Sequence, residues 1–356
     1  MSQQSYPVVK PYLKTHTLVP ENQETPIEFI QNDTIPSRLF YRRNHFSYPS
    51  LSHSNYWLPI NGLVSAPLLL SMQDLLQMPA KTVKAVLECA GDKRSFFKPK
   101  VFGEQWEKGA INQGFWKGVP LRTLLERAGL REGAKEVVIE GYDYGKTPDS
   151  DQVYTYARSL PIEKALHPDT LIAFEYNQQP IPFKHGFPLR LVVPQWYGMA
   201  SVKWIKQITI INSHFSGPFQ SIDYVYYPNK ENNEGAFPVT TINVNSTIQQ
   251  PRDMDILNRG NHIIKGIAWT GEGYITKVEI STDNGQTWTN AKMDNRDSGQ
   301  YGWVLWSYEW AAGKSGEYVI LSRATDSTNR IQPSEPFWNR KGYGYNAMDK
   351  IKVKIE

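Results

Sequence analysis

The single cysteine, Cys89, constrains this chain of 356 residues more than any other feature. One thiol cannot close an intrachain disulfide, nor can it build a zinc ribbon, a CxxCH haem attachment or an iron–sulfur cluster. The histidines (His16, His45, His53, His167, His185, His214 and His262) form no HExxH motif and no i,i+4 pair. A metal held wholly by protein side chains is therefore not expected, and the fold must rest on burial of apolar surface. Composition allows this: 40% of residues are hydrophobic and 21% charged, the balance of a globular chain. At roughly 150 residues per domain, the length suggests about two domains. Lys plus Arg (39) against Asp plus Glu (35) gives a net charge of +4, too balanced for a nucleic-acid coat. No apolar run approaches the roughly 18 residues of a membrane span. The start, Met1-Ser2-Gln3-Gln4-Ser5-Tyr6-Pro7, carries no export signal. A cytoplasmic location is the expectation, although a leader already removed would look the same.

Three regions follow from patterning. Residues 1–35 are polar and punctuated by Pro7, Pro11, Pro20 and Pro26, which reads as an extended arm. Residues 36–240 mix strands and helices without regular βαβ alternation, an α+β pattern. Strands are expected at 83–88, 136–141, 170–176, 189–193 and 201–211. A short helix is expected at 120–128, with Pro120 at its start and Gly129 at its end. Residues 241–356 show short strands at 262–270, 275–281, 303–310, 317–324 and 351–355. Asn284-Gly285 is a hairpin signal between two of them. That spacing predicts a β-sandwich of immunoglobulin type. The 11 Trp, 20 Tyr and 14 Phe support a β-rich chain.

Several groups could carry chemistry. Cys89 follows a strand and precedes Gly91, Lys93 and Arg94, and neighbouring cations stabilise a thiolate. A lone cysteine is otherwise usually a small buried hydrophobe. Phe40-Tyr41-Arg42-Arg43-Asn44-His45 sets two guanidiniums and an imidazole among aromatics, either a solvated basic turn or an anion site. His185-Gly186-Phe187-Pro188-Leu189-Arg190 and Ser201-Val202-Lys203-Trp204 are two further cationic segments. Their meaning depends on convergence in space. Gly342-Tyr343-Gly344-Tyr345-Asn346-Ala347 matches GxGxxA by letter, but it lacks a βαβ setting and a downstream acid, and it reads as a loop.

Taken together, these segments resemble the sulfite oxidase family. The run 40–45, Cys89-Ala90-Gly91, Gly109-Ala110-Ile111, Trp116-Lys117-Gly118-Val119-Pro120-Leu121, His185-Gly186-Phe187-Pro188 and Ser201-Val202-Lys203-Trp204 occur in that family's order. Ala268-Trp269-Thr270-Gly271, the run 281–288 and Trp338-Asn339-Arg340 resemble its C-terminal dimerisation domain. The likeness covers about residues 20–356.

The resemblance implies a molybdopterin-binding catalytic domain, an immunoglobulin-like dimerisation domain and a homodimer. It also implies a molybdenum cofactor, held by a pterin dithiolene and one protein thiolate, here Cys89; a soft thiolate suits such a metal. Arg43, Asn44, His45, Asp143, His185, Arg190, Ser201, Val202 and Lys203 match the positions that hold the pterin and its phosphate. Arg43, Arg94, Trp106 and Tyr224 match the substrate pocket, and Arg340 matches an arginine that enters from the partner subunit. The implied activity is oxidation of sulfite with electrons passed to an external acceptor. Reduction of nitrate or of an S- or N-oxide is the alternative in the same class, and a cofactor carrier without sulfite turnover lies in another. No haem is expected, since His167-Pro168 continues as Asp169-Thr170 rather than as the His-Pro-Gly-Gly of haem modules. The family's Cys-Ala-Gly-Asn-Arg-Arg is replaced here by Cys89-Ala90-Gly91-Asp92-Lys93-Arg94. Asp92 is thus expected to add negative charge beside the ligand loop, and Lys93 to lose a planar fork.

Overall fold

Alternate burial sets the strands of the first half. Along Glu136–Thr147, Val137, Ile139, Gly141 and Asp143 face inward while their neighbours do not, the period of two that a half-buried strand requires. The computed structural model describes residues 12–51, 56–147, 150–294 and 299–356; Pro7, Pro11 and His53 lie outside them.

Two five-stranded sheets make up the catalytic half. One runs Gln179–Pro180, Leu171–Tyr176, Ile111–Pro120, Lys81–Glu88, with Arg190–Val192 also on Leu171–Tyr176, all antiparallel. The other runs Leu68–Ser71, Trp57–Gly62, Ile205–Ile211, Glu136–Thr147, Ser150–Pro161, with one parallel pair, Trp57–Gly62 and Ile205–Ile211. Their apolar faces share a core containing Leu58, Ile60, Leu124, Ile139, Leu189 and Ile208. Among the described residues the α-helices are short links: Met72–Gln77, Leu121–Ala128 and Ile162–Ala165. The architecture is thus more strongly β than the α+β expectation. The helix expected at 120–128 is present, with Pro120 as N-cap and Gly129 at φ 70° closing it.

The C-terminal half is a sandwich of two sheets. Asn245–Gln250, Gly260–Trp269, Val304–Ala312 and Lys292–Asp294 form one; Ile256–Leu257, Asp349–Ile355, Gly316–Asp326, Ile275–Ser281 and Thr289–Asn290 form the other. Ile248, Ile264 and Ala268 of the first meet Val278, Ile320 and Val353 of the second. Asn284 and Gly285 take φ 60° and 88° in the hairpin between Ile275–Ser281 and Thr289–Asn290. No helix among the described residues is long and apolar enough to cross a membrane.

Two expectations need correction. Within the supposed extended arm, Lys14–Leu18 and Glu21–Glu24 pair as a hairpin. Asn22, Gln23, Glu24 and Thr25 are buried there, and Gln23 exchanges backbone hydrogen bonds with Arg42. Their polar groups find partners on the catalytic half that a free arm would leave to water. The strand expected at 201–211 begins only at Ile205. Trp204, fully buried with its indole N–H donating to the Phe183 carbonyl at 2.8 Å, sits at φ 49°, outside the extended region.

Candidate functional site

Cys89 leaves the end of Lys81–Glu88 and is fixed by its N–H to the Ala110 carbonyl at 2.8 Å. A tight turn follows, in which the Asp92 N–H donates to the Cys89 carbonyl and the Arg94 N–H to that of Gly91. The Arg94 guanidinium lies over Gly91, where a Cβ would stand 2.7 Å from three of its atoms, so a side chain there would displace the guanidinium. Burial pushes the Cys89 thiol up, while Arg43 and Arg94 pull it down.

Opposite Cys89, the pairing of Glu136–Thr147 with Ser150–Pro161 jumps from Glu140–Ala157 to Tyr144–Thr155. Such a bulge re-aims side chains, and Asp143 lies within it. A Cβ on Gly141 would meet Asp143 Oδ1 at 2.6 Å and the Lys203 carbonyl at 2.8 Å, so close packing demands glycine there. The left-handed Trp204 then places Lys203, whose Nζ donates to the Arg43 carbonyl at 3.1 Å and to Asn44 Oδ1.

The resulting cleft is lined by Arg43, Asn44, His45, Cys89, Asp143, His185, Arg190, Ser201, Lys203 and Tyr224, together with Phe40, Tyr41, Tyr156, Lys184 and Met199. Three separate sequence segments thus converge on Cys89. Val202 is buried beside the cleft but does not line it. Its N–H donates to the Ala200 carbonyl and its carbonyl accepts from Leu191. Arg94 and Trp106 are buried behind the wall. Arg94 binds the Lys341, Gly342 and Glu104 carbonyls, and Trp106 packs against His16 at 4.8 Å. Arg340 does not enter the cleft of its own chain: its Nη2 donates to Asn233 Oδ1 at 2.6 Å, and its guanidinium lies 4.6 Å from the Tyr227 ring. The loop that carries Arg340 nevertheless closes on that cleft, because the Gly344 N–H donates to the Ala90 carbonyl and Tyr343 stacks on Tyr224.

One hydrogen-bond chain has a fixed direction. Arg43 Nη2 lies 3.0 Å from His45 Nδ1, and His45 Nε2 lies 2.8 Å from the Tyr224 hydroxyl. A guanidinium only donates, so Nδ1 accepts and Nε2 carries the proton toward Tyr224. Burial holds His45 well below its ordinary range, with Arg43 and Lys203 adding to the effect, so the ring is neutral. Burial, with Tyr156, pushes the Tyr224 phenol well up. Tyr224 therefore accepts from His45 and keeps its own proton to donate into the cleft.

Few of the cations are ion-paired. Lys184 meets Glu21 at 3.0 Å, whereas Arg43, Arg94, Arg158, Arg190 and Lys203 bond to carbonyls, an amide and an imidazole, and among the described residues none of these five forms an ion pair with a carboxylate. Burial holds Lys203 well below its ordinary range against the opposing pull of Asp143. Burial lowers Arg190 to about 10 and leaves its Nε without a partner. Asp143 Oδ1 is likewise buried and unpartnered. Unsatisfied buried polar groups are costly, and here an acceptor and donors of opposite charge face one space. These residues fit a pterin, with N–H groups for Asp143, a phosphate for the cations and a metal for Cys89. Among the described residues no group of three His, Cys, Asp or Glu side chains could hold a metal ion by itself, so such a metal would need the pterin's own ligands.

The two departures in the ligand loop turn away from the cleft. Lys93 Nζ donates to Asn245 Oδ1 at 2.6 Å and to the Ser246 carbonyl at 3.2 Å, tying the loop to the sandwich. Asp92 Oδ1 accepts from the Ala110 N–H at 2.8 Å, and burial raises its carboxyl to about 7 against the pull of Lys93. Glu88 accepts from the Trp269 indole at 2.8 Å in the same seam.

Sequence reasoning missed Tyr156, Arg158 and Tyr343. The first two lie on Ser150–Pro161, a strand whose alternation in Tyr154, Tyr156, Arg158 and Leu160 was the available signal. Tyr343 had no signal beyond its loop.

Comparison with known proteins agrees with this geometry. Residues 45–219 match the oxidoreductase molybdopterin binding domain, and residues 236–356 the Mo-co oxidoreductase dimerisation domain. The chain is 32% identical to mitochondrial sulfite oxidase of Rattus norvegicus over 98% of its own length and 67% of that protein's. It is 29% identical to the NADH nitrate reductase of Solanum lycopersicum, over 94% of this chain and 40% of that one. Among solved structures, the sulfane dehydrogenase SoxCD from Paracoccus pantotrophus superposes with a TM-score of 0.83 at 27% identity, covering 98% of this chain and 92% of that one.

Proposed function

The chain belongs to the sulfite oxidase family of molybdopterin-dependent oxidoreductases, and from that premise we propose that it oxidises sulfite to sulfate and delivers the electrons to an external acceptor. The observation that carries the choice of substrate is the pair of guanidiniums, Arg43 and Arg190, that line the cleft beside Cys89 without a carboxylate partner, which favours a small dianion. In the reaction, sulfite and water give sulfate, two protons and two electrons. When bound, the molybdenum cofactor supplies the metal that transfers the oxygen atom and stores the electron pair. Cys89 would ligate that metal; Arg43, Asn44, His45, Asp143, His185, Arg190, Ser201, Val202 and Lys203 would hold the pterin and its phosphate.

The chain's own part is positioning. Arg43 offers its remaining N–H groups to a sulfite oxygen while Nη1 stays on the Asn44 carbonyl and Nη2 on His45. Tyr224 donates its remaining proton to an oxygen of the bound anion, its acceptor lone pair being taken by His45. Burial of Tyr224, Tyr156 and Phe219 keeps the surroundings of that bond poor in water and so strengthens it. Arg94 and Trp106 lie just outside this first layer, and we assign them to shaping the pocket through the Gly91 turn. Arg340 would complete the anion site from a second copy of the chain.

Steady-state reduction of a dye or of cytochrome c by metal-loaded enzyme tests the proposal, with sulfite compared against nitrate turnover under reducing conditions. Sulfite-dependent reduction supports it. Nitrate consumption without sulfite oxidation would transfer the assignment to the reductase reading, which the Solanum relative favours.

A further inference from the structure

Tyr224 has two close neighbours on its ring. Tyr343 stacks on it at 5.2 Å and 28°, and the Arg158 guanidinium carbon lies over it, 5.5 Å from its centre. Tyr343 in turn carries a cation of its own, the Arg94 guanidinium carbon 5.0 Å from its centre.

Arg158 is the member with no ordinary explanation. It is 1% exposed, its Nη1 donates to the Phe219 carbonyl, and its Nε has no partner. The charged or titratable groups that act on it are Tyr156, Tyr224 and Tyr343, without an acid among them. Burying an unpaired guanidinium is unfavourable, and one backbone carbonyl does not demand it, because a neutral amide would satisfy Phe219. The face of an aromatic ring does attract a cation, and more strongly when both are desolvated. Arg158 therefore belongs to Tyr224.

We propose that Arg158 is a positioning residue for Tyr224: its guanidinium over the ring, together with the stacked Tyr343 of the C-terminal loop, clamps the ring so that the hydroxyl is aimed at the bound oxyanion. The His45 bond fixes only where the hydroxyl sits. The clamp fixes the tilt of the ring and hence the direction of the remaining O–H. It also couples the catalytic half to the sandwich, since Tyr343 and two of the three carbonyls that hold Arg94, those of Lys341 and Gly342, come from one loop. The proposal rests on the reading of Tyr224 as the hydroxyl that faces substrate.

The test is a double-mutant cycle on metal-loaded enzyme. Arg158→Gln keeps a donor for Phe219 and drops the charge, and Tyr224→Phe keeps the ring and drops the hydroxyl. Arg158→Gln should lower kcat/KM for sulfite by about tenfold in the wild-type background, carried mainly by kcat, and by less than about twofold in Tyr224→Phe, because residues that act as a unit are not additive. The same cycle is read as the dissociation constant of sulfate by calorimetry, which should weaken by about fivefold in the first background and stay unchanged in the second. Equal losses in both backgrounds, or no loss in the first at an unchanged melting temperature, overturn the proposal. Should Arg158→Gln fail to fold, Tyr343→Val enters the same cycle as the other contact on the ring, with the same pattern expected and the same result refuting it. If the wild-type enzyme turns over no sulfite, the substrate reading fails separately, and the sulfate cycle still decides whether Arg158 acts through Tyr224.

Discussion

Asp143 offers the sharpest physical test of the pterin site. It is 4% exposed, its Oδ1 has no partner, and burial raises its carboxyl from an ordinary 3.8 to about 6 despite the pull of Lys203. Between pH ~4 and ~6 the native protein therefore binds more protons than the unfolded chain, and stability falls as pH rises through that window. The raised pKa corresponds to about 3 kcal/mol at neutral pH, at about 1.4 kcal/mol for each tenfold step. Asn has the same shape and no charge to desolvate. Cofactor-free Asp143→Asn should thus be more stable than wild type at pH 7 by up to about 3 kcal/mol, and the two should converge near pH 4. Urea unfolding of both proteins from pH 4 to 7.5 measures this directly. The cofactor should reverse the order: with pterin N–H groups present the carboxylate gains donors that stabilise its charged form, so Asp143→Asn should release cofactor more readily on dilution at pH 7. A wild type that is the more stable of the two at pH 7 without cofactor, or parallel pH profiles, would refute the reasoning.

Three further outcomes are expected. Cys89→Ser should keep the wild-type melting temperature within a few degrees and retain pterin, yet lose turnover and metal, since a hydroxyl is a poor substitute for a thiolate on a soft metal; full sulfite activity in that variant ends the ligand assignment. Arg340→Met should raise KM for sulfite by about tenfold or more with little change in kcat, the signature of a lost charge-assisted contact made equally in ground and transition states; an unchanged KM would confine Arg340 to its Asn233 contact. Light scattering at micromolar concentration should give twice the chain mass, as expected of a two-fold dimer, and a strictly monomeric mass contradicts it.

The sequence disclosed what local chemistry controls. Pro120 favours a helix start and Gly129 a helix end, and between them stands a run that can fill the turns; Asn284-Gly285 has few turns to choose from. Recognisable segments brought Cys89, Arg43, His45, His185, Arg190 and Lys203 together before any coordinates did. The hairpin 14–24 was opaque because its strands are polar, and only burial against Arg42 and Gly109 makes the pairing worthwhile. The kink at Trp204 was opaque for a similar reason: nothing local favours φ 49° in a tryptophan, and the pocket that receives its indole lies some twenty residues back, at Phe183. Lys93 and Asp92 could be seen to depart from the family loop, but not that their side chains turn toward the sandwich and the Ala110 amide. A departure in a motif changes a site only where the altered side chain faces it.

The fold accounts for why one cysteine is enough. Two sheets present Cys89 at a strand end and Asp143 on a bulge, and the segments between them bring more cations than Asp143 offsets. Such an arrangement is electrostatically unfinished: its folded form carries repulsion that anions bound from outside would relieve. Linkage then requires that whatever binds there stabilises the native state, by an amount that grows with the logarithm of its concentration over its Kd. The same positive charge that would draw an oxyanion to Tyr224 would hold the phosphate of the cofactor at the other end of the cleft. One surplus of charge would thus serve both attachment and substrate capture. To that charge the neutral geometry would add direction, since His45 and the stacked Tyr343 leave a single O–H of Tyr224 free to point at the anion.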